Sequence, residues 1–215
     1  NLDHGTTNTK KDYDLRSYTI RTFDLEKREL VLDFLLHGDS GPASKWASSV
    51  QIGESIEIAG PGPAILASAD ADWYLFVGDM TALPAIAVNL EKLSSDSKGI
   101  ALLEINSLED KQDLKRPDGL EVRWIINSDP LNGCEDLIKS LGCVEIKGVK
   151  PYAWVAGEFE LLRFARKLLK HDKALPKESL YLSCYWKIGA DDPGMKKAKA
   201  ALILFDSIKN LFSFK

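Results

Sequence analysis

Arg16, Tyr18 and Thr19 sit within one strand-forming run, RSYTIRTF. Period-two alternation sets Arg16, Tyr18, Ile20 and Thr22 on one face and Ser17, Thr19, Arg21 and Phe23 on the other. A guanidinium offers a fork of donors that matches a pyrophosphate. A phenol adds a flat ring with a hydroxyl, and a threonine adds a second hydroxyl. Because Thr, Tyr and Ile are also plain strand formers, the run taken alone fits an ordinary half-exposed strand as well.

A second stretch, HGDSGPASKWA, runs from His37 to Ala47 and places turn residues before a Gly-Pro helix entry. The N–H groups of residues 43 to 45 can then face an anion with the helix dipole behind them, which with Arg16 makes a diphosphate cradle. A plain turn into a helix, with His37 as a hydrogen-bonded structural histidine, is the other reading of the same residues.

The elements that must position these groups fall into two parts. RSYTIRTF, the connection DLEKRE, LVLDFLLHG and ESIEIAGPG read as β strands interrupted by one short helix at GPASKWASSV. GPGPAILASADAD, rich in Pro, Gly and Ala, reads as a linker. Beyond it, WYLFVGD, GIALLEI, EVRWIIN, YAWVAGE and LYLSCYWKIG alternate with TALPAIAVNLEKL, CEDLIKSLG and FELLRFARKLLKHD. Apolar strands separated by amphipathic helices predict a doubly wound, mostly parallel α/β sheet. The expected domains are 1–63 (partial β-barrel), 64–72 (linker), 73–189 (α/β) and 190–215 (C-terminal helix).

The 215 residues, 45% of them hydrophobic, supply a real core. A net charge of −4 argues against a general nucleic-acid surface, so an anionic partner must be met by a local basic site. Cys134, Cys143 and Cys184 form no CxxC pair, and are expected to pack as small apolar residues in a reducing cytoplasm. Neither a signal-peptide pattern nor an apolar run of about 18 residues is present, so no membrane insertion is expected. Trp73, Trp124 and Trp154 read as core, and Trp186 as lying where the chain meets a cleft.

A β part followed by an α/β part, with Arg-x-Tyr-Thr in the first, suggests a two-domain flavin reductase. RSYTIR, LDFLLHGDSGPASKWA, VGDMTALPAI, AWVAGE and CYWKIG occur in the order and approximate spacing of the siderophore-interacting proteins. Over nearly the whole span from Arg16 to Gly189 the chain resembles that family, within the ferredoxin-NADP reductase superfamily. The resemblance implies a cytoplasmic flavin-dependent oxidoreductase that reduces a ferric siderophore and releases Fe(II). It gives Arg16, Ser17, Tyr18, Thr19, His37, Asp39, Gly41, Ala43 and Ser44 to FAD. Gly78, Asp79, Thr81, Ala82, Ala156, Gly157 and Glu158 go to a donor cleft, served by NADH, NADPH or ferredoxin. Lys187, with Lys196 and Lys197 behind it, goes to the siderophore, which itself holds the iron, so no protein metal site is implied.

The chain departs from the family pattern in two places. Only fifteen residues precede Arg16, so the first strands of the barrel are expected to be missing. The turn VGDMTALPAI has Met80 where an acid is common, and lacks the second glycine that brings a backbone close to a dinucleotide phosphate. Thr81 as a cap and Pro84 in the first turn also make a sound strand-to-helix junction without any nucleotide. Glu104 near the end of GIALLEI, with no arginine beside it, leans against a 2′-phosphate site. A general NAD(P)H or ferredoxin flavin reductase and a non-catalytic siderophore carrier are the competing functions.

Overall fold

The computed structural model describes residues 14–37 and 41–190, together with Gly194 and Lys197. The expected helix over 190–215 therefore lies almost wholly outside the described residues. Two compact units divide the chain, residues 1–60 and residues 61–215.

In the first unit, β1 (Ile20–Asp24) and β2 (Glu29–Leu32) form an antiparallel hairpin, and α1 (Pro42–Ser49) follows. The Asp24 carboxylate accepts the N–H groups of Glu26 and Lys27, each at 3.0 Å, and Arg28 closes the turn at φ 55°. Those bonds hold the Asp24 carboxyl below its usual range. The pairing register shifts between Ile20 and Thr22, and Arg21 meets Asp33 at 3.2 Å.

Three expectations for this unit change. The ladder begins at Ile20, so Arg16, Ser17, Tyr18 and Thr19 precede the strand, and no pleat forces Arg16 and Tyr18 onto one face. Within LVLDFLLHG the ladder with β1 extends only as far as Leu32, with an isolated bridge at His37. ESIEIAGPG is not a strand: with no ladder partner among the described residues, Ile56 and Ile58 stay exposed. The described residues thus show a hairpin where a barrel was expected.

The second unit follows the sequence pattern closely. β3 (Trp73–Gly78), β4 (Gly99–Ile105), β5 (Leu120–Ile126), β6 (Pro151–Glu158) and β7 (Leu180–Trp186) form one parallel sheet in the order β5-β4-β3-β6-β7. α2 (Leu83–Glu91) covers one face, packing Leu83, Ile86 and Leu90 with Tyr74, Phe76 and Trp154. α3 (Glu135–Gly142) and α4 (Phe159–Ala165) cover the other, packing Leu137, Leu141 and Leu161 with Leu75, Val77 and Val155. Burial from both sides explains why β3 is apolar throughout and lacks alternation. From β3 the chain winds outward through β4 and β5, then returns to place β6 on the other side of β3. Strand order therefore reverses between β3 and β6, and in such sheets ligands bind at the carboxyl ends of the strands at that reversal.

Candidate functional site

In the first unit, Tyr18, Phe34 and Trp46 form a ring ladder with centroid separations of 4.4 and 5.6 Å. Tyr18 remains 40% exposed, with its phenol pKa raised by partial burial and pulled back by the Arg16 charge. Arg16 and Ser17 are exposed, Thr19 is half-buried, and the Arg16 guanidinium donates to the Leu15 carbonyl at 2.9 Å. Ser44 is buried below the turn, where its hydroxyl accepts the His37 N–H at 3.1 Å. That hydroxyl shapes the loop rather than facing outward. A Cβ on Gly41 would lie 3.2 Å from the His37 ring, so glycine lets the chain pass close to the histidine. Ala43 lies in the first turn of α1, which carries no acid. Asp39 lies outside the described residues. A helix start free of acids, a tight glycine entry, a half-exposed ring and a nearby guanidinium fit a phosphate-bearing flavin.

In the second unit, the strand-order reversal is built around one buried carboxylate. Asp79 follows β3 and is only 6% exposed. One of its oxygens accepts the Thr81 amide at 2.9 Å and the Thr81 hydroxyl. The other accepts the Glu158 amide at 2.9 Å and the Trp186 indole N–H at 2.8 Å. Burial pushes the Asp79 pKa up, and the four donors oppose that shift. This carboxylate ties the ends of β3, β6 and β7 together, while its own carbonyl accepts the N–H groups of Ala82 and Leu83, each at 3.0 Å. Thr81 is not the cap expected of it: α2 starts after Ala82, and the Thr81 hydroxyl is turned toward Asp79.

Both glycines here are sterically required. A Cβ on Gly78 would meet the Ala82 Cβ at 2.7 Å and the Ala156 carbonyl at 3.0 Å. Gly157 stands at φ 145°, where a Cβ would lie 2.5 Å from an Asp79 oxygen. Glu158 caps α4 by accepting the Glu160 amide, and its second oxygen accepts the Ile188 N–H at 3.2 Å. Lys187 is half-buried, with its Nζ 4.5 Å from the Phe159 ring centroid, a cation–π contact beside this edge. Lys197 is exposed, and Lys196 lies outside the described residues.

Residue-type reasoning assigned Trp186 to a cleft without seeing its bond to Asp79, which joins residues far apart in the chain. Trp73 and Trp154 are core, as expected, and Trp124 packs against the α2-side core. Cys134 and Cys184 are buried, whereas Cys143, just after α3, is exposed and breaks the expectation for the cysteines.

Residues 71–189 match the family model described as siderophore-interacting protein, and residues 4–65 match the siderophore-interacting FAD-binding domain. The chain belongs to the siderophore-interacting protein family. The ferric vibriobactin reductase of Vibrio cholerae is 33% identical over 179 residues, covering 82% of this chain and 66% of that protein. The NADPH-dependent ferric-chelate reductase of Escherichia coli is 25% identical over 174 residues, covering 80% of this chain and 65% of that one. This siderophore-interacting family member therefore spans about two thirds of the length of these curated relatives. Among solved structures, the siderophore-interacting protein of Aeromonas hydrophila matches with a TM-score of 0.78 at 34% identity, over 87% of this chain and 74% of that one. Among the described residues no helix is long and apolar enough to cross a membrane.

Proposed function

We propose that this protein reduces ferric siderophores with electrons carried by FAD, releasing iron as Fe(II). The observation that carries the reading is the pair of family matches, flavin module first and siderophore-interacting module second, across residues 4–65 and 71–189. The names of the Vibrio and Escherichia relatives, both ferric reductases, support it.

Residues 1–63 would serve as the flavin domain, residues 73–189 as the donor domain, and residues 64–72 as the link. FAD, when bound, supplies the electron-carrying chemistry. Arg16 and the start of α1 at Gly41 and Ala43 would hold its phosphates, Tyr18 its flat system, and Ser17, Thr19, His37 and Asp39 its polar edges. Ser44 keeps that loop in shape. Gly78, Asp79, Thr81, Ala82, Ala156, Gly157 and Glu158 form the floor of the donor cleft, for a nicotinamide dinucleotide or ferredoxin. Lys187, aided by Lys196 and Lys197, would attract the anionic ferric chelate in an otherwise acidic molecule. Reduction weakens the grip of hard oxygen ligands on iron, so electron delivery also releases it.

The test is anaerobic. FAD-loaded protein is reduced with dithionite, excess reductant is removed, and a ferric siderophore is added with a chromogenic Fe(II) chelator. Return of the flavin absorbance together with Fe(II) capture is the expected result. Protein that takes up no FAD, or reduced flavin indifferent to the ferric chelate, would overturn the proposal.

A further inference from the structure

Where β7 ends, two buried carboxylates hold the chain that the ladder no longer holds. β7 lies at one edge of the sheet and pairs with β6 as far as Trp186, opposite Glu158. Lys187 is the next residue and has no partner in that ladder. The residues on either side of it are tied down instead. Trp186 donates its indole N–H to Asp79 at 2.8 Å, and Ile188 donates its backbone N–H to Glu158 at 3.2 Å. The Lys187 carbonyl accepts the Ala190 N–H at 3.1 Å, closing a turn through Gly189 at φ 69°. Asp79 and Glu158 are 6% and 2% exposed, so both carboxylates accept their bonds in a poorly solvated setting, where such bonds are strong. The other Glu158 oxygen accepts the Glu160 amide at the start of α4, whose first residue is Phe159. The Phe159 ring centroid lies 4.5 Å from the Lys187 Nζ, so one carboxylate steadies both the backbone beside the lysine and the helix that carries the ring beneath it. Among the described residues no carboxylate pairs with that ammonium.

We propose that Glu158 and Asp79 are positioning residues for Lys187: they fix the chain on both sides of it and keep its ammonium seated on Phe159, where an anionic ferric chelate can meet it. The inference rests on the reading of Lys187 as a siderophore contact given above. A long lysine side chain loses rotamer freedom when it grips a ligand, and seating it beforehand reduces that loss. The two carboxylates thereby gain a task beside the donor cleft, one that is measured without any nicotinamide.

The probe is the gallium(III) complex of a tris-catecholate siderophore, an anion shaped like the ferric complex that accepts no electron. Calorimetric titration gives its affinity for FAD-loaded protein in two backgrounds, with Lys187 and with Lys187→Ala. Lys187→Ala itself should weaken binding about tenfold. Trp186→Phe, which removes the indole donor to Asp79, should weaken it about threefold or more while Lys187 is present, and so should Phe159→Leu and Glu158→Ala. Once Lys187→Ala has been made, the same three changes should have little further effect. Trp186→Phe and Phe159→Leu keep an apolar side chain in place and carry the test if Glu158→Ala does not fold. Losses of equal size in both backgrounds, or no loss beside a clear effect of Lys187→Ala, would overturn the inference and leave Lys187 at the siderophore. Absent binding, or unchanged affinity in Lys187→Ala, would overturn the reading of Lys187 and this inference with it. Fe(II) capture from dithionite-reduced flavin is measured separately, so the ferric-reductase proposal stands or falls on its own result.

Discussion

Two carboxylates of the same sheet edge live in opposite circumstances. Asp79 has four donors around its two oxygens, and the donors give its charged form support that burial alone would deny. Glu104 is equally deep but leaves one oxygen without a hydrogen-bond partner among the described residues, and burial raises its pKa to about 7, opposed by a hydrogen bond from Asn127 and aided by the neighbouring acids. The sign for stability follows from where the proton is held. Between its ordinary value of 4.5 and about 7 the folded protein keeps this proton and the unfolded chain releases it, so stability falls as pH rises through that window. Glu104→Gln removes this cost. Its Tm should exceed that of the parent by about 3 °C or more at pH 8, with the gap closing toward pH 4.5, as read by calorimetry across pH. A gap that does not change with pH would mean that Glu104 is not the group being titrated.

At the scale of elements, the ends of β3, β6 and β7 are joined by side chains and not by ladder bonds alone. That junction requires Gly157, whose positive φ and absent Cβ let the β6 backbone reach the Asp79 oxygen. Gly157→Ala would press a methyl group on a carboxylate that four donors hold in place. We expect a loss of about 2 kcal/mol or more in urea unfolding, together with weaker ADP-ribose binding. Unchanged stability would mean that Asp79 can shift freely, contrary to its bonding. The β1–β2 hairpin offers the opposite case. Arg28 occupies the left-handed region at φ 55°. Arg28→Gly should therefore stabilise the protein by about 0.5–1 kcal/mol, detected as a higher urea midpoint with an unchanged slope.

For the whole molecule, the proposed function sets the net charge of −4 against the local cation at Lys187. An anionic ferric siderophore is repelled by the first and drawn by the second. Reoxidation of reduced flavin by such a chelate should slow as salt is raised from low to physiological ionic strength, since screening weakens a local attraction. Stopped-flow rates at several salt concentrations check this. A rate that climbs with salt would show that the net charge governs the encounter, and would remove Lys187 and its neighbours from the siderophore site.

The α/β sheet was legible in the sequence because its strands are buried on both faces. WYLFVGD and YAWVAGE are continuous apolar runs that no half-exposed strand would tolerate, and each became a central strand. The pairing of RSYTIRTF was not legible in the same way. Thr, Tyr and Ile favour an extended chain, but a ladder needs a partner, and the partner stops the strand at Ile20. Glu104, Asp79 and Trp186 could each be noticed by residue type. Only the tertiary structure decided that one acid would be satisfied and the other left wanting, because the Trp186 indole reaches Asp79 across 107 positions of chain and, among the described residues, nothing comparable reaches the second oxygen of Glu104. Local order follows from side-chain pattern, whereas the state of a buried charge depends on which distant groups the fold brings to it.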